Sequence, residues 1–212
     1  MFSAEWIYEE TGLPGGVLPF NFDAFWNNPT PCAIQGFDRD TGETVVWRKE
    51  DMATLKDLMV RVRASSTLPF VMPAVHIDGH VYYDGGLGQG AGIPLQLALD
   101  SGCSRIFAIL TRPKGFRKPA PDIGRSARMI ANSYHKYPYV REALLTRNER
   151  YNAELEKLEQ LAAEGKAYIV YADKMAVENN TTDIKKLRSS YFDGYNQAQK
   201  EFPRWLEWLG IE

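Results

Sequence analysis

Short apolar stretches broken by glycine and proline fill the first half of the chain, and longer helical spacing fills the second. Ser3 is placed to cap a short helix carrying Trp6 and Ile7, which Gly12-Leu13-Pro14-Gly15-Gly16 ends. Asn21 to Trp26 reads as another short helix or turn, closed by Pro29 and Pro31. Cys32 to Phe37 and Glu43 to Trp47 read as two strands joined by Asp38-Arg39-Asp40-Thr41-Gly42, a turn-rich hairpin loop. From Asp51 to Val62 the spacing predicts a helix: Met52, Leu55, Leu58, Met59 and Val62 recur every three or four positions, with Asp51 as N-cap. It runs into Ala64-Ser65-Ser66 and stops before Pro69, because proline disfavours a helical residue ahead of it.

Val75-His76-Ile77 and His80-Val81-Tyr82-Tyr83 flank Asp78-Gly79, the strongest short-range hairpin signal in the chain. That hairpin delivers Asp84 into a stretch holding Gly85, Gly86, Gly88, Gly90 and Gly92. Pro94 opens a short helix that ends at Gly102. Arg105 to Leu110 is a nearly continuous apolar run, as expected of a buried parallel strand. Two helical stretches follow, the second from about Tyr139 to Glu164, with Leu144, Leu145, Tyr151, Leu155, Leu158 and Leu161 on its buried face. Ala167 to Tyr171 reads as a further strand, so strand, helices and strand form a crossover unit. Asp183 to Leu209 is an amphipathic helix with Phe202, Trp205 and Trp208 near its end.

Composition adds little pull in any one direction. The 212 residues suit one domain with a sizeable core. A net charge of -2 gives no attraction to nucleic acid. Cys32 and Cys103, far apart, read as buried thiols in a reducing cytoplasm rather than a disulfide. No apolar run approaches the ~20 residues that span a bilayer. The first residues lack a signal-like start, which makes the expected location cytoplasmic.

Asp84 is the leading chemical candidate. Turns favour aspartate for its local hydrogen bonds; a catalytic base, in turn, needs a carboxylate fixed by a strand end yet approachable, and the glycines supply that approach. Ser65 and Ser66 lie upstream, either bonding backbone near the helix end, positioning Asp84, or acting as nucleophiles. His76 and His80 flank a hairpin turn with His135 remote, too few to converge on a metal, so they read as a solvent-facing pair. Arg112, Lys114, Arg117 and Lys118 read as a solvated loop or an anion site. The terminal aromatics read as helix packing or a lipid-contacting patch. No phosphate loop, dinucleotide fingerprint or metalloprotease motif appears, and no cofactor is expected.

Ala64-Ser65-Ser66-Thr67-Leu68-Pro69-Phe70-Val71-Met72-Pro73, followed by Ile77-Asp78-Gly79-His80-Val81-Tyr82-Tyr83-Asp84-Gly85-Gly86-Leu87, resembles the C-terminal catalytic block of patatin-like phospholipases. Leu110 to Lys118 and Arg147-Asn148-Glu149-Arg150-Tyr151-Asn152 are similar to a bacterial branch of that family, and the resemblance runs from about Met1 to Tyr171. It implies an α/β fold, part of a three-layer α/β/α sandwich with a central, mostly parallel sheet. The patatin-like portion would cover 1–172 and a C-terminal helical extension 173–212. It also implies a serine–aspartate dyad that hydrolyses acyl esters, typically of lipids, with the aspartate taking the serine proton directly. Asp84 matches that aspartate, with Ser65, Ser66, Gly85 and Gly86 lining the site.

Two departures accompany the match. The family's nucleophile sits in a Gly-x-Ser-x-Gly elbow and its oxyanion donors in a Gly-rich loop. Of the serines Ser3, Ser65, Ser66, Ser101, Ser104, Ser126, Ser133, Ser189 and Ser190, only Ser104 and Ser126 follow a glycine by two, and neither precedes one by two. The glycine-rich stretch after Asp84 is also longer than the family pattern. The expectation is that nucleophile and oxyanion hole belong to a segment ahead of Met1, on the order of one hundred residues. The chain alone would then be inactive, and would associate with itself or with that segment through uncovered apolar faces. The expected partners are a lipid or other acyl-ester substrate and a membrane touched peripherally, not nucleic acid. The alternative is a non-catalytic lipid-binding or interaction module on the same fold.

Overall fold

The computed structural model describes residues 3–120, 124–178 and 181–211. The chain forms two compact units, Met1–Leu97 with Pro119–Glu154, and Ala98–Lys118 with Leu155–Glu212. In the first unit the Trp6 N–H donates to Ser3 Oγ at 3.1 Å, starting a π-helical turn over Trp6–Glu10. Helix α1, Phe22–Asn27, is capped by Asn21, whose Oδ1 accepts from the Ala24 amide at 3.0 Å. Strands β1 (Ala33–Asp38) and β2 (Thr44–Arg48) form the first hairpin.

The helix expected from Asp51 begins later. Asp51 serves a 3-10 turn over Lys49–Met52, its Oδ2 accepting from the Arg48 amide at 2.7 Å. Helix α2, Leu55–Ser65, is capped by Thr54, and Asp57 answers by accepting from the Thr54 amide. That reciprocal box satisfies two donors at once, which a lone Asp51 cap does not.

Strands β3 (Val75–Ile77) and β4 (His80–Asp84) complete the sheet. Their turn has positive φ at Asp78 (51°) and Gly79 (84°), the conformation that an Asp-Gly hairpin turn requires. The strand order is β2-β1-β4-β3 and every pairing is antiparallel. This overturns the mostly parallel central sheet expected from the resemblance. Both hairpins close through short turns, which reverse the chain, whereas parallel neighbours need a crossover of a dozen residues or more.

Tyr82 and Tyr83, consecutive on β4, face opposite sides of the sheet and anchor separate clusters. Tyr82 packs with Trp47, Val75, Ile77 and Ala64 of α2. Tyr83 packs with Phe37, Leu87, Tyr134, Val140 and Ala143. The last two belong to helix α5 (Pro138–Ala163), which follows α3 (Leu95–Asp100) and α4 (Arg125–Ser133) in the chain's helical order. The first unit is therefore a mixed α/β arrangement with a helix on each face of an antiparallel sheet.

In the second unit β5 (Ile106–Ile109) and β6 (Ala167–Val170) pair in parallel, as the crossover pattern predicts. The expected burial of β5 is only partial: Ile106, Phe107 and Ala108 are half-buried and Ile109 is 66% exposed. Helix α6, Ile184–Leu209, lays Trp205 and Trp208 against Phe107 and Tyr168 at centroid distances of 5.6 to 6.1 Å. Arg105 then donates to the Trp208 and Leu209 carbonyls, capping the end of α6. The helix-packing reading holds for both tryptophans, while Phe202 is exposed. Both cysteines are free, but Cys32 is only half-buried and Cys103 is exposed, against the expected burial. Among the described residues no helix is long and apolar enough to cross a membrane.

Candidate active site

Asp84 ends β4, facing Gly36 of β1 across the ladder. Its amide donates to the Thr67 carbonyl at 2.9 Å. Thr67 is fully buried and its Oγ1 donates to the Arg63 carbonyl at 2.7 Å, which locks the exit of α2 beside the strand end. The Asp84 carboxylate turns forward: Oδ1 accepts from the Gly86 amide at 2.7 Å and caps a 3-10 turn over Gly85–Leu87. An aspartate at this corner is thus held by a strand, a buried threonine and the turn it caps.

The glycines are demanded by contact. A Cβ on Gly85 would lie 2.4 Å from the Gln35 carbonyl oxygen. On Gly86 it would lie 2.8 Å from Arg147 Nη2 and 3.1 Å from Asp84 Oδ1, so guanidinium and carboxylate crowd the same side of that residue. Arg147 Nε donates to the Gly86 carbonyl at 2.8 Å. Arg150 donates through Nη2 to the Leu87 carbonyl at 2.9 Å and the Ala143 carbonyl at 3.0 Å, and through Nη1 to the Gly88 carbonyl. Burial lowers the Arg150 pKa, and the neighbouring Arg147 charge lowers it further. Two arginines, three apart on α5 and so on one helix face, clamp the carbonyls of the glycine turn. A cleft of about 380 Å³ opens beside this turn, lined by Thr44, Leu87, Gly88, Tyr139 and Arg150 among others.

The structure brings the predicted residues together unevenly. Gly85 and Gly86 build the Asp84 corner directly. Ser65 is the last residue of α2 and Ser66 its C-cap, one residue from the Thr67 carbonyl that binds Asp84. The Ser66 amide is engaged by the Arg63 and Ala64 carbonyls. Arg147, Arg150 and Thr67 were not singled out from sequence as site residues. Their three-residue spacing places both arginines on one helix face, but no local pattern says that this face meets the glycine turn.

The other candidates are occupied elsewhere. His80 Nδ1 lies 2.8 Å from Asp38 Oδ2, while His76 is exposed and faces Val81 in the ladder. Among the described residues no group of three or more His, Cys, Asp or Glu is placed to hold a metal. Arg117 pairs with Glu159, and the Arg112 guanidinium lies 4.9 Å from the Phe116 ring centroid.

Asp84 is thus a carboxylate fixed at the end of a strand, in a mixed α/β unit and beside a clamped glycine turn. Residues 11–99, which contain that whole corner apart from its arginines, match the family model of Patatin-like phospholipase. Residues 137–210 match a second family model, Domain of unknown function (DUF6363). Comparison with curated proteins returns no match.

Proposed function

We propose that the chain supplies the aspartate half of a patatin-like lipid acyl hydrolase, with Asp84 as the base that takes a proton from a serine nucleophile. The observation that carries this reading is the built corner around Asp84 inside the patatin-like segment. A general base must be held in one orientation before its proton arrives, and the Gly86 amide, the Thr67 carbonyl and the Arg147 clamp together do that. No Gly-x-Ser-x-Gly occurs in the 212 residues, and on this reading the nucleophile is supplied by another segment. The same absence favours a second reading, a lipid-binding module that keeps the fold and does no chemistry.

Translating any in-frame DNA ahead of Met1 and exposing that longer protein to a fluorophosphonate probe separates the two. The hydrolase reading expects a labelled serine, with labelling about 100-fold slower or more in Asp84→Asn, the usual scale of a lost general base. Asparagine keeps an oxygen for the Gly86 amide, so the corner stays folded. Ser66→Ala should label as the parent does. No labelling supports the non-catalytic module instead, and labelling indifferent to Asp84→Asn overturns Asp84 as the base.

A further inference from the structure

A cavity of about 680 Å³ lies wholly within the second unit, beyond the C-terminal ends of the parallel strands β5 and β6. That volume falls within the roughly 300–1,000 Å³ of small-molecule sites. The carboxyl ends of parallel strands are also where α/β units take their ligands. Ile109, Leu110, Val170, Met175, Val177 and Trp205 make an apolar wall.

The polar groups at the cavity are not equivalent. Gln197 is committed: its Nε2 donates to the Tyr171 carbonyl at 2.7 Å and its Oε1 accepts from the Asp173 amide at 3.0 Å. Lys174 and Asp193 offset each other, Nζ to Oδ1 at 3.3 Å. Asp173 stands at the same rim. Lys200 also lines the cavity and has no ion-pair partner among the described residues.

A second, independent observation is Gly194. It sits inside α6, where glycine weakens a helix relative to alanine. A Cβ built on it meets nothing within 4 Å, so the protein's own packing does not require glycine there. Gly194 is exposed and lines this same cavity, so a side chain at that point stands at the cavity's edge with no protein atom against it.

We propose that the cavity binds a single-chain amphiphile, with its aliphatic chain along the apolar wall and an anionic group of its head at Lys200. The proposal uses none of the Asp84 corner and therefore stands or falls apart from acyl hydrolysis. Fatty acids and lysophospholipids both carry this chemistry, and both are released when a phospholipid acyl ester is cleaved.

Calorimetric titration of the full chain with dodecanoate and with dodecylphosphocholine, each below its micellar concentration, tests it. The expected result is saturable binding of one molecule per chain. Gly194→Leu should weaken both ligands about tenfold or more while leaving the far-ultraviolet circular dichroism of α6 intact, since leucine favours helix. Lys200→Gln should weaken dodecanoate about tenfold and leave uncharged dodecanol unaffected. Tighter dodecanoate assigns the site to a fatty acid and tighter dodecylphosphocholine to a lysophospholipid, and either order upholds the cavity. Absence of saturable binding overturns the proposal, as does binding that Gly194→Leu leaves unchanged. Dodecanoate binding indifferent to Lys200→Gln overturns the placing of the head.

Discussion

Asp38 is almost fully buried at the end of β1, a position that on its own would raise its pKa. The amides of Thr41 and Asp40 donate to Oδ1 at 3.0 and 2.9 Å and His80 reaches Oδ2, and together they bring the carboxyl below its ordinary value. A carboxylate with a depressed folded pKa stabilises the fold fully above its unfolded pKa of about 3.9. That stability is lost as pH falls through the lower folded value. Asp38→Asn is expected to destabilise the chain by about 1–2 kcal/mol at pH 7. The deficit should shrink as the parent is acidified below about pH 4. Urea unfolding of parent and variant at pH 7 and pH 3 measures both numbers, and a deficit independent of pH would assign the effect to shape rather than charge. Arg150 poses the converse case, a half-buried cation that serves as a donor. Arg150→Met removes donors from three carbonyls and from Thr146 Oγ1, and should cost about 3 kcal/mol or more by the same measurement. Arg150→Lys should recover little of this, because an ammonium lacks the planar fork that reaches several carbonyls at once.

At the scale of elements, the turn after β4 is defined by what touches it. Gly85→Ala forces a methyl against a backbone oxygen of β1 that cannot retreat without breaking the ladder, so a loss of about 3 kcal/mol or more is expected. Gly86→Ala meets the end of the Arg147 side chain, which can swing away, and should cost only about 1 kcal/mol. Urea midpoints at unchanged slope rank the two, and equal losses would mean that the arginine is as fixed as the backbone. The same contrast explains what the sequence disclosed. The Asp78-Gly79 hairpin, the Ser3 cap and the run of α5 were legible because each rests on residues within a few positions of one another. The antiparallel order was not, because the pairing of β1 with β4 joins segments more than forty residues apart and leaves no local mark. Asp84 itself was legible as a strand-end carboxylate. The Arg147 and Arg150 clamp was not, since only the fold brings α5 over the glycine turn. Thr54 displaced Asp51 as helix cap for a local reason that the apolar spacing hid, the answering carboxylate of Asp57.

At the scale of the molecule, the unequal covering of apolar side chains carries a further prediction. In the first unit Val17 is 72% and Leu18 75% exposed, and Trp6, Leu13, Phe20 and Trp26 are also exposed large apolar residues. Single exposed apolar side chains are ordinary, but this many within the first 26 residues is the composition of a contact surface. The chain is therefore expected to self-associate, with light scattering giving a mass that rises above 24.1 kDa as concentration increases. Apolar association should persist or strengthen in 1 M salt, whereas pairing through surface charges would weaken there. Val17→Glu with Leu18→Glu should lower the apparent mass, since two carboxylates placed in such a contact would have to be desolvated. Both positions lie outside strands and α-helices, so the pair of substitutions leaves the sheet and its clusters untouched. A 24.1 kDa particle at all concentrations would show that these side chains are tolerated in water without a partner. A mass that stays high in the double variant would move the contact to the other exposed apolar face, the Ile184, Leu187, Tyr191 and Tyr195 stripe of α6.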